Sequence, residues 1–208
     1  ALRSACKKIV CVGRNYVDHA KELGNAVPTK PMLFVKTTNA LIVPGEKIRA
    51  PPGCTNLHQE AELAVVIGKR ASAVDKGRAM DHVRGYTIAL DMTARDFQDE
   101  AKKAGAPWFL AKSFDASCPI GELVTKDKVP DPHRLELYCK VNGVQKQRST
   151  TDLMLFDIPT LIEYTTKFVT LEEGDLLLTG TPAGVSRVRS GDVVEAGLEG
   201  LTSVTYTV

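Results

Sequence analysis

Apolar residues recur along this chain in short blocks separated by stretches rich in Gly and Pro. Residues 8–13 (KIVCVG), 31–36 (PMLFVK), 61–68 (AELAVVIG) and 85–91 (GYTIALD) read as strands, since short apolar runs bounded by turn residues bury sheet faces. Within 61–68, Leu63, Val65 and Ile67 point one way, and Glu60, Glu62, Ala64 and Val66 the other. A helical stripe of Tyr16, Ala20 and Leu23 predicts a short helix over 15–23, with Asn15 as N-cap and Gly24-Asn25 as the stop. Thr93-Ala94-Arg95-Asp96 has capping-box spacing and opens a helix to Lys103 that stops at Gly105. Residues 80–84 read as another helix end, and 158–167 as a helix with Pro159 at its start. Strand-like fragments fall at 40–43 and 47–50. In the second half, 135–141 and 143–147 form a hairpin around Asn142-Gly143. Residues 175–179, 192–195 and 201–208 add strands. Many short strands with few helices predict an α+β fold, mostly antiparallel sheet with short peripheral helices, as one domain over 1–208.

Composition changes this picture little. Lys+Arg 27 against Asp+Glu 25 gives a net charge of +2, which removes the electrostatic case for nucleic acid or an anionic membrane as partner. No apolar run approaches the roughly 18 residues of a membrane helix. Five scattered cysteines without a Cys-x-x-Cys pair predict reduced thiols rather than a zinc site or a disulfide framework. Residues 1–5 are too short and polar for a signal peptide, though they could end a longer leader. Neither the dinucleotide fingerprint nor the P-loop is present in the sequence.

Chemistry concentrates elsewhere. Glu60 and Glu62 share a strand face about 6.6 Å apart along the chain, in an otherwise apolar block. Such a pair alone is more often a solvated face. Asp91 alters that balance, because it ends a second apolar strand just before a helix. Its competing role is to cap that helix. Three carboxylates from two apolar strands make a hard-oxygen site suited to Mg²⁺ or Mn²⁺. His58 falls on the glutamate face by alternation, as a fourth ligand or a supporting residue. His19 and Glu22 lie three apart on the short helix, where a carboxylate would fix the imidazole tautomer and raise its basicity; an exposed ion pair is the plainer alternative. Arg95 and Gln98 share one helix face. Lys112 sits in the apolar stretch 108–114, and Thr179-Gly180-Thr181-Pro182 follows a buried strand.

The ordered set Gly13-Arg14-Asn15-Tyr16, His19, Glu22, Lys30-Pro31, Phe34 and Lys36, continued by residues 58–63, 91–96 and 179–182, resembles the fumarylacetoacetate hydrolase family. The match runs along essentially the whole chain and is nearest to the short acylpyruvate hydrolases that also decarboxylate oxaloacetate. The resemblance implies a β-sheet roll with peripheral helices, usually a homodimer, in the cytoplasm or mitochondrion. It implies Glu60, Glu62 and Asp91 as ligands of Mg²⁺ or Mn²⁺, His19 and Glu22 as a water-activating dyad on a lid, and catalytic Lys112. Arg14, Arg95, Gln98, Lys112 and Thr181 would contact a small 2-oxo acid substrate. The implied activity is hydrolysis of the C–C bond of 3-acylpyruvates such as acetylpyruvate or fumarylpyruvate, with oxaloacetate decarboxylation through the same enolate. Keto–enol tautomerisation of oxaloacetate, fumarylacetoacetate hydrolysis and dienoate isomerisation or decarboxylation are alternatives within the family. A non-catalytic metal-binding scaffold is the alternative outside it. Ser186 and Glu122 depart from the family pattern, where glycine and proline are common.

Overall fold

The computed structural model describes residues 2–208. A single turn, α1 (Leu2–Ala5), leads into β1 (Ile9–Gly13), followed by α2 (Val17–Glu22), β2 (Met32–Lys36) and β3 (Leu41–Ile42). Next come β4 (Leu57–Gln59), β5 (Ala61–Ile67), a 3-10 helix (Lys76–His82), β6 (Val83–Leu90) and β7 (Thr93–Ala94). The helices α3 (Arg95–Ala104) and α4 (Phe109–Lys112) precede β8 (Cys118–Pro119) and β9 (Val124–Thr125). The last third holds β10 (Glu136–Val141), β11 (Val144–Thr150), α5 (Ile158–Thr166), β12 (Leu176–Leu178), β13 (Ser186–Val188), β14 (Val193–Leu198) and β15 (Thr202–Thr207).

The largest sheet has the order β2-β1-β12-β5-β6-β9, and a second runs β11-β10-β14-β15. Among the described residues only β1–β12 and β3–β8 pair in parallel; the other pairings are antiparallel, as the α+β reading predicts. Alternation along β5 explains its place. Leu63, Val65 and Ile67 join the core between the two large sheets, with Leu137, Ala196 and Tyr206 opposite. Ala64 and Val66 face a smaller core with Ile9, Cys11, Leu176 and Leu178. Every β5 residue is therefore buried, and at about 25 cal/mol per Å² of apolar surface this strand anchors the fold. The Asn142-Gly143 turn has φ +51 and +78, as a tight type I′ hairpin requires.

Several predicted elements shift. Asn15 does not cap α2, whose N-cap is Tyr16 without a side-chain bond. Its amide instead donates to Phe156 O and Thr179 O while its oxygen accepts from Phe156 N–H, so it ties distant segments. The capping box at Thr93 does not form: Ala94 is the N-cap, and again no side chain caps it. Residues 47–50 form no strand, and 80–84 close a 3-10 helix rather than an α-helix. The short strands β4, β8, β9 and β13 were not legible as periodic runs. All five cysteines are free thiols, and no helix is long and apolar enough to cross a membrane among the described residues.

Candidate active site

The site forms where β5 and β6 end together. Glu60 is the joint between β4 and β5, and Glu62 lies inside β5 opposite Ala89. The register pairs Ala61 with Leu90, and Asp91 N–H donates to Glu60 O at 2.8 Å. Sheet pairing alone thus brings three carboxylates together: Glu60, Glu62 and Asp91 each offer an oxygen within 4.8 Å of the others, all buried.

Cations compensate two of the three. Lys112 Nζ donates to Glu60 Oε2 at 3.0 Å, Asp91 Oδ2 at 2.6 Å and Thr93 Oγ1 at 2.7 Å. Arg95 donates to Glu60 Oε1 and, at 2.8 Å, to Gln98 Oε1. Burial works against the Glu60 charge, but Lys112, Arg95 and His19 outweigh it and hold this carboxyl well below the usual range. Burial likewise opposes the Lys112 ammonium, and Asp91 and Glu60 overcome it, raising its pKa. Lys112 is therefore a fixed positive charge, not a proton acceptor.

Glu62 is different. Its Oε2 accepts from Gly180 N–H at 2.8 Å, and no cationic side chain bonds it among the described residues. Burial, then the Asp91 and Glu60 charges, pushes its carboxyl well above the usual range. Gly180 presents that N–H from φ +101, and a Cβ there would lie 2.7 Å from Asn15 Cβ, so glycine is required. Asp91 Oδ1 is buried with no hydrogen-bond donor aimed at it, although Lys36 Nζ lies 2.8 Å away. Three converging hard oxygens, one carboxylate without a cation and one oxygen without a donor fit a divalent cation. If so, Mg²⁺ or Mn²⁺ at about 100 times its Kd adds about 2.7 kcal/mol of stability. For a chain of this size that raises Tm by about 5–10 °C. Calorimetry with and without chelator checks this; a Tm indifferent to both ions counts against the site.

The remaining predicted residues converge on the same cleft, which His19, Arg14, Arg95, Gln98, Lys112 and Thr181 help to line. His19 is buried, and its Nδ1 is 3.1 Å from Glu22 Oε2. Glu22 Oε1 in turn accepts from Gly184 N–H at 3.0 Å. With Nδ1–H donated to the carboxylate, the other ring nitrogen is left as the basic one. Arg14 is half-buried at φ +57, a strained conformation for a non-glycine residue. Thr181 is close by, but its hydroxyl hydrogen is committed to Ala61 O at 2.8 Å.

Lys36, Gln147 and His58 complete the frame. Lys36 is fully buried and donates to Met92 O and Ser117 O at 3.0 Å and to Lys112 O. It thereby ties the backbone just after Asp91 to that of Lys112 and Ser117. Gln147 accepts from Ala61 N–H at 2.9 Å and donates to Thr181 Oγ1 at 2.7 Å. His58 is a supporting residue rather than a ligand: its Nδ1 accepts from Arg95 Nε at 3.4 Å. Burial first, and Arg95 next, lower its pKa from 6.5 to about 4. A histidine kept neutral in the fold binds its proton more readily when unfolded. Its contribution to stability is therefore full above about pH 6.5 and is lost as pH falls toward about 4. His58→Gln should flatten the acid side of the stability–pH curve over that window; an unchanged slope in urea titrations counts against this.

Three comparisons with known proteins place the chain in a family. The C-terminal domain of fumarylacetoacetate (FAA) hydrolase, as a family, matches residues 8–208. The mitochondrial oxaloacetate tautomerase fahd-1 of Caenorhabditis elegans is 69% identical over 94% of this chain and 92% of its own length. The mitochondrial oxaloacetate decarboxylase of Dictyostelium discoideum is 48% identical over 94% and 90%. The crystal structure of fumarylpyruvate hydrolase from Pseudomonas aeruginosa in complex with Mn²⁺ and pyruvate superposes with a TM-score of 0.92 at 35% identity. It covers 98% of this chain and 89% of that one. Sequence order, sheet topology and near-complete coverage converge, and the chain belongs to the fumarylacetoacetate hydrolase family as one of its enzymes.

Proposed function

We propose that this enzyme interconverts the keto and enol forms of a short 2-oxo acid, oxaloacetate first, and decarboxylates it at the same site with Mg²⁺ or Mn²⁺. The observation that carries this is the meeting of the Glu60–Glu62–Asp91 cluster with a buried His19–Glu22 pair in one cleft. A divalent cation held by the three carboxylates would polarise the 2-oxo oxygen and lower the cost of negative charge there. The chain's own residues do the rest. Arg95 and Lys112 place fixed positive charge beside the cluster to hold a carboxylate. Gln98 gives its oxygen to Arg95, which leaves its amide nitrogen without a protein partner among the described residues and free for a substrate oxygen. The unbonded ring nitrogen of His19 takes a proton from C3 and returns it, while Glu22 fixes its tautomer. In decarboxylation the C3–carboxylate bond breaks instead, its electron pair stays on the organic fragment, and His19 need only supply the final proton.

Hydrolysis of 3-acylpyruvates is the second reading. It is favoured by the anchoring of Glu22 on Gly184 N–H, which would fix His19 to deprotonate a water attacking the distal carbonyl. The fumarylpyruvate hydrolase neighbour also supports it. The relatives named mitochondrial support a mitochondrial enzyme, and the working assembly is a homodimer, which sedimentation velocity tests. The deciding experiment assays oxaloacetate tautomerisation, oxaloacetate decarboxylation and acetylpyruvate cleavage side by side with Mg²⁺, Mn²⁺ and chelator. Metal-dependent turnover of oxaloacetate is expected. Turnover of acetylpyruvate alone would replace the first reading by the second, and turnover of neither would remove both.

A further inference from the structure

The cations of the cleft outnumber its anions once their partners are counted. Lys36, Arg95 and Lys112 each touch a member of the carboxylate cluster. Arg14 and Lys102 also line the cleft, yet neither has a carboxylate partner within ion-pair distance among the described residues. Their placement is not incidental. Arg14 is held half-buried at φ +57, a conformation that persists only where the surroundings impose it. Lys102 Nζ sits 5.7 Å from the Trp108 ring. That ring meets Phe34 edge-on at 5.8 Å, and Phe34 lies 4.9 Å from Lys112 Nζ. An aromatic wall therefore separates an inner cation, Lys112 beside the carboxylates, from an outer one. Burial lowers the Lys102 pKa, and Arg95, Arg14 and Lys112 add to the effect while Asp99 opposes it. Like charges crowd this mouth without anions of their own. Such a cluster is complementary to an incoming anion.

We propose that Arg14 and Lys102 form an outer cationic rim that recognises the distal carboxylate of a dianionic 2-oxo acid, so that the cleft selects dicarboxylates over monocarboxylates of the same length. This rests on the 2-oxo acid reading above and adds to it the charge class of the substrate. The inner carboxylate and keto oxygen go to the cluster, and the far carboxylate reaches the rim. Acylpyruvates with an uncharged tail fill the same space without that interaction.

Oxaloacetate and pyruvate differ only by the distal carboxylate, and Trp108, the only tryptophan in the chain, reports binding at the rim by its fluorescence. In the metal-loaded enzyme, Arg14→Gln should raise the KM for oxaloacetate about tenfold, as loss of a charge-assisted hydrogen bond does. Lys102→Gln, at a more exposed position, should raise it about threefold to fivefold. The fluorescence Kd for pyruvate should change less than twofold in both. Added salt should raise the wild-type KM for oxaloacetate and have a weaker effect in the double variant. Equal movement of oxaloacetate and pyruvate, or movement of neither, overturns the proposal. Lys102→Gln alters only a rim side chain and keeps the test valid if Arg14→Gln folds poorly. Oxaloacetate that binds with a variant-sensitive Kd but is not turned over would leave the rim standing and remove the proposed reaction. Turnover with an unmoved KM would do the reverse.

Discussion

Glu62→Ala is expected to abolish divalent-cation binding and, with it, about 10³-fold of kcat/KM toward every 2-oxo acid, the loss that several kcal/mol of transition-state charge stabilisation represents. Glu62 is the site's most sensitive point because it has no cationic partner among the described residues, only the Gly180 N–H, so burial and the neighbouring carboxylates disfavour its charge until a cation is bound. Glu60 and Asp91 would keep Lys112 and Arg95 as partners, so the variant should still fold. Removing a carboxyl already disfavoured as an anion should leave the Tm without metal within a few degrees of wild type. The informative result is therefore a pair: unchanged Tm in chelator, and no further rise when Mg²⁺ is added. Titration by Mn²⁺ electron paramagnetic resonance gives binding directly. Wild-type Mn²⁺ affinity in this variant would sink the three-carboxylate site.

His19→Asn should lose about 10²–10³-fold in tautomerisation, within the range assigned to a positioned general base, while Mn²⁺ affinity stays at the wild-type value. Decarboxylation should fall less, by about tenfold or under, since no proton has to leave C3 before that bond breaks. Any acylpyruvate cleavage should follow tautomerisation, because its water also needs a base. Glu22→Gln tests the positioning role. It keeps a contact to His19 but removes the carboxylate that fixes the ring's tautomer, so kcat for tautomerisation should fall about tenfold while Mn²⁺ affinity stays at the wild-type value. Equal losses in all three reactions for His19→Asn, with metal still bound, would count against proton transfer by His19.

Much of this site was legible in the sequence for a definable reason. Short apolar runs mark β5 and β6 as buried strands with carboxylates at their ends, and their pairing brings Glu62 and Asp91 together. The i,i+3 spacing of a helix does the same for His19 and Glu22. What stayed hidden depends on chain segments that meet only in the folded state. Lys36 ends an apolar strand, where a lysine reads as solvated, and it is buried because residues 92, 112 and 117 close over it. Gln147 lies on a strand whose neighbours are exposed, so no pattern marks it. His58 was legible in part: alternation put it beside the glutamates, and the structure makes it the supporting residue of the two roles offered, bonded to the Arg95 that also bonds Glu60. The capping reading of Thr93 failed by competition: its hydroxyl bonds Lys112 and Asp91 O rather than the helix N-terminus. Ser186, one of the family departures, found a local use in accepting from Gln59 Nε2 at 3.2 Å.

The insertion of β12 between β1 and β5 bears on how the enzyme comes into being on the ribosome. Cys11 pairs with Leu178, and Leu178 with Ala64, so the central sheet has a gap until nearly the whole chain has emerged. Gly180 N–H and Thr181 arrive directly after the strand that fills it. Pairings so distant in sequence slow folding and leave strand edges open in the nascent chain. A chain halted before residue 176 would expose the inner edges of β1 and β5 together with Glu62, and would lack the peptide N–H that steadies that carboxylate. Competence for the cation therefore has to wait until residues 176–181 have emerged, and the chain short of that point is where chaperone dependence should be greatest.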